Sequence, residues 1–333
     1  MSAPDEASPE LELSVVIPTL GNYAVLERVL DAFGAQDAPP GVFELIVVAD
    51  EADPDPGAVD EAIGRRPYPV RRLTGHIPGA SANRNAGLRA ARAPLVLLTD
   101  NDTIPTPSVV SRHLAWHASY PAEEVAVVGH VRWARELRLT PFMRWLEHGV
   151  QFDFKSIRGT EAGWAHLYSA NSSLKRSFIE RVGDFDELRL PYLYEDIDWA
   201  YRARTHGLRV LYNRDAVVDH YRTDATLDAW KQKMARSAQT ERQFVALHPE
   251  VRPWFHAMFT DALKHPASRG RGVPLLGRVP RGVPWLGPAV WTSADLYFRQ
   301  ALAPYFLDAW ERAEPIEPAP GELSGGASGS PGV

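Results

Sequence analysis

The stretch APLVLLTDNDTIP, Ala93 to Pro105, is apolar through Leu95, Val96, Leu97 and Leu98 and then abruptly acidic, with Asp100 and Asp102 two positions apart. A short apolar run between turn residues has the character of a strand buried on both faces. Two like charges at its end raise each other's pKa unless a cation stands close by. The pair therefore calls for a positive partner.

Working outward, LSVVIP (Leu13 to Pro18), FELIVVAD ending at Asp50, YPVRRL and VAVVGHVRW read as further strands. Between them NYAVLERVLDAFGAQ places Val25, Leu26, Val29, Leu30 and Phe33 at helical spacing, and GASANRNAGLRAARA is a small-residue helix. Alternating strands and helices predict βαβ crossovers and a mainly parallel sheet. Ligands of such sheets bind outside the carboxyl ends of the strands, where Asp50, Asp100 and Asp102 fall. Further on, TPFMRWLEHGVQF reads as a helix, AHLYSANSSLKR as a strand, Glu195 to His206 as a helix stopped by Gly207, and LRVLYN and AVVDHY as two strands. A long helix then carries Leu227, Trp230, Met234 and Val245 on one face.

The bulk numbers exclude several classes. With 333 residues and a net charge of −6, a large core is expected and a nucleic-acid role has no electrostatic support. The absence of cysteine rules out disulfides, thiolate metal sites and cysteine nucleophiles, and fits a cytoplasmic protein. No segment has the roughly 18 apolar residues of a membrane span. Past Pro249 the chain is rich in Pro, Gly, Arg and aromatics and repeats RGVPLLG (271–277) as RGVPWLG (281–287), so peripheral contact with a membrane surface stays open.

Each candidate site residue has a plain reading beside its functional one. Asp100 and Asp102 suit Mg2+ or Mn2+ together with substrate phosphates, or a solvated, capped turn. Glu195 and Asp196 suit the positive end of a helix, or a general base within reach of a proton. His220 is a metal ligand or an ordinary hydrogen-bonded histidine. Arg84 sits early in a helix near the strand ends, positioned for a phosphate or a base.

In order, SVVIPT, FELIVVAD, NRNAGL, LLTDND, SANSSLKRSFIERVGDFDE, YEDIDWAYRARTHG and the following Asp219-His220 resemble the inverting family 2 glycosyltransferases with a GT-A fold, from about Leu13 to Tyr221. The resemblance implies an α/β, Rossmann-like architecture, a mainly parallel sheet flanked by helices. A nucleotide-binding half would cover 13–134 and an acceptor and catalytic half 135–225. A helical, aromatic-rich C-terminal extension would cover 226–313, with a disordered lead-in (1–12) and tail (314–333).

The same resemblance assigns roles. Pro18, Thr19, Asp50, Arg84 and Asp100 would bind the donor nucleotide, usually a uridine one. Asp102, with Asp100 and His220, would hold Mn2+ or Mg2+. Asn171 would sit near the donor sugar and acceptor. Asp196 would be the base, with Glu195 beside it. The partners implied are a nucleotide-sugar donor and a glycan, lipid-linked or small-molecule acceptor. Two departures stand out: Ala49 where the family usually has an acid before Asp50, and PTLGN in place of PTYN. No QxxRW motif is present, which favours a single addition over processive synthesis. The rival readings are a haloacid-dehalogenase-like phosphohydrolase and a non-catalytic nucleotide-sugar-binding protein.

Overall fold

The computed structural model describes residues 10–39, 41–148, 150–279 and 282–316. The expected disordered flanks lie outside these residues through Pro9 and from Glu317 onward, as do Pro280 and Arg281 of the repeat.

Strands β1 (Leu13–Thr19), β2 (Phe43–Ala49), β3 (Val70–Thr74) and β4 (Leu95–Thr99) alternate with helices α1 (Tyr23–Gly34), α2 (Pro56–Ile63) and α3 (Ala80–Ala90). There follow β5 (Thr103–Pro105), α4 (Val109–Ser119), β6 (Val125–Trp133), α5 (Pro141–Leu146), β7 (Glu161–Ala162), β8 (Asn171–Lys175), α6 (Arg176–Val182), α7 (Glu195–Ala203) and β9 (Arg209–His220). Helices α8 (Leu227–Leu247), α9 (Trp254–Leu263) and α10 (Leu286–Arg312) complete the chain.

All nine strands join one sheet in the order β3-β2-β1-β4-β8-β6-β9-β5, with β7 added beside β9. The four strands β1 to β4 run parallel, as do β6 and β9; β8 runs antiparallel between β4 and β6. The apolar runs are continuous because both faces are covered. Val15 and Ile17 pack with α1 and α4 through Leu26, Leu30, Val109 and Val110. Val16 faces the other way, into Leu88, Phe178 and Trp199 of α3, α6 and α7. Each side chain switches face with its neighbour, as the strand period requires.

Three sequence expectations change. LRVLYN and AVVDHY form one strand, because β9 keeps pairing with β6 across a register shift that loops out residues 214–216 between Asn213 and Val217. TPFMRWLEHGVQF is helical only over α5; the His148 and Gln151 N–H groups donate to the Trp145 and Leu146 carbonyls, turning the chain instead of extending the helix. Val245 does not share a face with Met234: Met234 joins the C-terminal cluster of Trp145, Trp291, Phe298 and Phe306, while Val245 packs near Leu190 and Phe244. The chain beyond Ala313 stays docked through Ile316, whose backbone exchanges two hydrogen bonds with the Gln243 amide.

Candidate active site

The opening stretch ends in a tight turn. Thr103 donates its backbone N–H to the Asp100 carbonyl, and its hydroxyl accepts the Asp100 N–H at 3.1 Å. This turn splays the two carboxylates apart, and each meets its own cation. Asp100 Oδ1 accepts from Arg84 Nη2 at 2.9 Å, while Asp102 Oδ2 lies 3.3 Å from His220 Nε2 and 3.8 Å from Arg222 Nε. Antiparallel pairing of β5 on β9 sets Thr103 opposite His220, which is what carries the histidine to Asp102. Burial pushes the Asp102 carboxyl up; His220 and Arg222 more than offset it and hold the group below the ordinary carboxylate range. The imidazole stacks on Trp133 at 5.1 Å, and its Nδ1 meets Gln151 Nε2 at 3.3 Å.

Arg84 is buried and reaches a second carboxylate, Glu195 Oε1. It therefore bridges the end of β4 to the start of α7. Burial alone would lower the Arg84 pKa, but Glu195 and Asp100 raise it instead, keeping the charge fixed. Glu195 is pushed up to about 7 by burial, against the pull of Arg84, and its Oε2 has no partner. The next residue points elsewhere. Asp196 is half-buried, and its Oδ2 accepts from the Ser169 N–H at 3.1 Å and its Oδ1 from the Ile197 N–H at 2.8 Å. Burial raises its pKa; Arg84 and the two N–H donors oppose the shift. Leu193 and Tyr194 enter the helix with φ of 62° and 61°, a left-handed pair that costs free energy and needs support from outside. That support comes from α8, where the buried Glu241 accepts from the Tyr194 hydroxyl and from the Phe255 and His256 N–H groups at the start of α9.

At the end of β2, Asp50 is enclosed. Its carboxylate accepts from Ala52 N, Gly79 N and Asn83 Nδ2 at 2.7 to 2.9 Å, locking β2 to the start of α3. Pro18 and Thr19 close β1, and the Thr19 hydroxyl accepts from Asn101 Nδ2 at 2.9 Å. Asn171 departs from its expected place. It is fully buried, donating to the Ala216 carbonyl at 2.9 Å and meeting His113 Nε2 at 3.0 Å, so it organises the sheet and cannot reach a sugar. Its position opposite Thr99 in the β4–β8 register turns it toward α4.

Sequence reading missed Asn101, Asp53, Gln151, Arg222, Lys233 and Glu241. Asn101 lies inside the quoted motif but ties it to β1. Asp53 accepts from the Gly21 N–H and the Tyr23 hydroxyl, fixing the loop after β1. Arg222 and Lys233 both contact Asp224, and burial together with Arg222 lowers the Lys233 pKa. The only hint of this cluster in the sequence was the arginine two positions past His220.

Among the described residues no three His, Cys, Asp or Glu side chains converge on a point. Asp100 is turned to Arg84, leaving Asp102 and His220 as adjacent oxygen and nitrogen donors. Two protein donors fit Mn2+ or Mg2+ held jointly with substrate phosphates, the usual arrangement for these hard cations.

A sequence model described as "Glycosyltransferase like family 2" matches residues 9–240. The chain is 27% identical over 331 residues to a validoxylamine A glucosyltransferase of Streptomyces hygroscopicus subsp. limoneus, covering 86% of this chain and 70% of that one. The fold is similar to a mannosyltransferase of Pyrobaculum calidifontis solved with GDP-Man and Mn2+ (TM-score 0.56, 19% identity, 93% and 88% of the two chains). It is also similar to residues 1–349 of S. aureus TarS solved with UDP (TM-score 0.51, 15% identity, 90% of each). These matches set the phosphohydrolase reading aside. With a family match over most of its length and a GT-A sheet ending in this constellation of acids, the chain belongs to glycosyltransferase family 2 and is a glycosyltransferase.

Proposed function

We propose that the enzyme transfers one sugar from a nucleoside-diphosphate donor to an acceptor hydroxyl with inversion, Asp196 acting as the base. The observation that carries this reading is the divergence of neighbouring acids. Glu195 is buried against Arg84, whereas Asp196 is half-buried and held by the Ser169 and Ile197 N–H groups. The acceptor oxygen attacks the anomeric carbon from the face opposite the diphosphate. The bond from that carbon to the leaving oxygen breaks with its electron pair going to the diphosphate, and the acceptor proton goes to Asp196. Asp102 and His220 would hold a divalent ion, whose chemistry is to neutralise charge on the departing diphosphate. Arg222 and Lys233, held beside Asp102 by Asp224, add fixed positive charge to the same side.

The proteins of similar fold solved with GDP-Man and Mn2+ and with UDP support a nucleotide sugar as donor, guanosine or uridine, and a divalent ion as its companion. Single addition is supported by the absence of a QxxRW motif, which the segment from Gln239 to Phe244 only partly matches. There Glu241 caps α9, Arg242 donates to the Trp310 carbonyl and Gln243 holds Ile316. No helix among the described residues is long and apolar enough to cross a membrane.

The test is nucleotide release from a panel of UDP-, GDP- and dTDP-sugars with Mn2+. Release that disappears on chelation and in both Asp102→Ala and Asp196→Ala is expected. Full release by Asp196→Ala in the presence of acceptor would sink the assignment of the base.

A further inference from the structure

A cavity of about 310 Å³ opens between β6, β9 and the segment 150–155, at the small end of the range for small-molecule sites. None of the roles above uses it. We infer that this cavity is the acceptor subsite and that it takes a polyhydroxylated ring, a monosaccharide or cyclitol. The inference rests on the proposed transfer reaction and adds the class of its acceptor.

Position is the first argument. His220 forms part of the wall, and its opposite edge faces Asp102. Phe152 and Phe154, also in the wall, pack edge-on against Tyr168 at 5.2 and 5.4 Å. Tyr168 precedes Ser169, whose N–H holds Asp196. The cavity thus lies between the donors for the metal and the neighbours of the base, where an attacking hydroxyl has to arrive.

Chemistry is the second. Phe152 lines the cavity with Trp133, stacked on His220, and Phe154, stacked on Tyr212, while Glu147 and Gln151 add polar side chains to the same wall. Aromatic faces with a few placed polar groups suit a ring that has C–H faces and hydroxyl edges. The wall carries both signs of charge: Arg132, paired with Asp219 at 2.6 Å, Lys155, whose Nζ lies 5.9 Å from the Trp291 ring centre, and the carboxylate of Glu147. Gln151 touches both the cavity and His220 Nδ1, so a ring bound here meets the side chain that steadies the histidine.

Saturation-transfer NMR on the full-length protein, with methyl β-D-glucopyranoside and myo-inositol as probes, tests this directly. At least one probe is expected to bind, and Glu147→Gln and Phe152→Ala to weaken it about tenfold, as loss of a hydrogen bond to a charged group or of a packed aromatic contact implies. The conservative Glu147→Gln keeps the test meaningful should Phe152→Ala unfold, and the melting temperature of each variant is read alongside. Binding of neither ring, or wild-type binding in a folded Glu147→Gln and Phe152→Ala, overturns the inference. Nucleotide release without ring binding would leave the transferase reading standing and remove the cavity from it. Ring binding in a protein that releases no nucleotide from any donor would do the opposite.

Discussion

Replacing Asp196 by Asn is expected to lower kcat by about 10²- to 10⁴-fold, the usual contribution of a positioned general base, with donor KM little changed. Steady-state kinetics on the best donor read this. The rate in the wild type should fall as pH drops through the Asp196 pKa, which lies above the ordinary Asp value because burial disfavours the anion. Arg84, Asp100 and the neighbouring Glu195, Tyr168 and Tyr194 all face this group and shape the profile. Glu195 carries a separate signature in stability. Its pKa is raised from 4.5 to about 7, so the folded state binds its proton more tightly than the unfolded one. Stability from this group is therefore fullest below about pH 4.5 and declines as pH rises to about 7. Glu195→Gln should flatten that decline, and melting temperature across pH 4.5 to 8 is the measurement. An unaltered slope would mean that another group carries it.

At the level of elements, the β6–β9 seam is the place where close packing decides the geometry. A Cβ on Gly129 would sit 2.2 Å from Asn171 Nδ2 and 2.4 Å from the Ala216 carbonyl oxygen. Gly129→Ala should therefore cost about 1–3 kcal/mol, the range for overpacking a tight interior, read by denaturant unfolding. This seam also marks how far the sequence could be read. The parallel strands were legible because a run such as Leu95 to Leu98 must be buried on both faces, and the position of Asp100 at its end followed. The looped-out 214–216 was not, since a register shift depends on the partner strand and leaves no local composition. Asn171 was misread for the same reason: nothing in SANSS tells which face of β8 it takes. Glu195 and Asp196 were legible as a pair, but their division of labour depends on Arg84, 111 positions away from Glu195.

For the molecule as a whole, the C-terminal helices are part of the core. Phe142, Trp145 and Leu146 of α5 are buried in one cluster with Met234, Phe259, Phe298 and Phe306 from α8, α9 and α10. A chain ending at Ala225 would expose Phe142, Trp145 and Leu146 to water, and burying large side chains of this kind contributes about 1.5–3 kcal/mol each. Such a truncation is expected to aggregate, or to lose the cooperative melt of the full chain; a monomeric, sharply melting fragment on size exclusion and calorimetry would contradict this.

Glu241 gives that integration a practical edge. The family match stops at residue 240, and the very next side chain supports the left-handed Tyr194 at one end and the start of α9 at the other. A recombination breakpoint placed at the end of the match, to graft a new C-terminal segment onto this core, would separate Tyr194 from its partner unless the incoming segment brought a carboxylate to the same spot. Chimeras of this enzyme should be joined beyond Ile316, or should carry residue 241 across with the core.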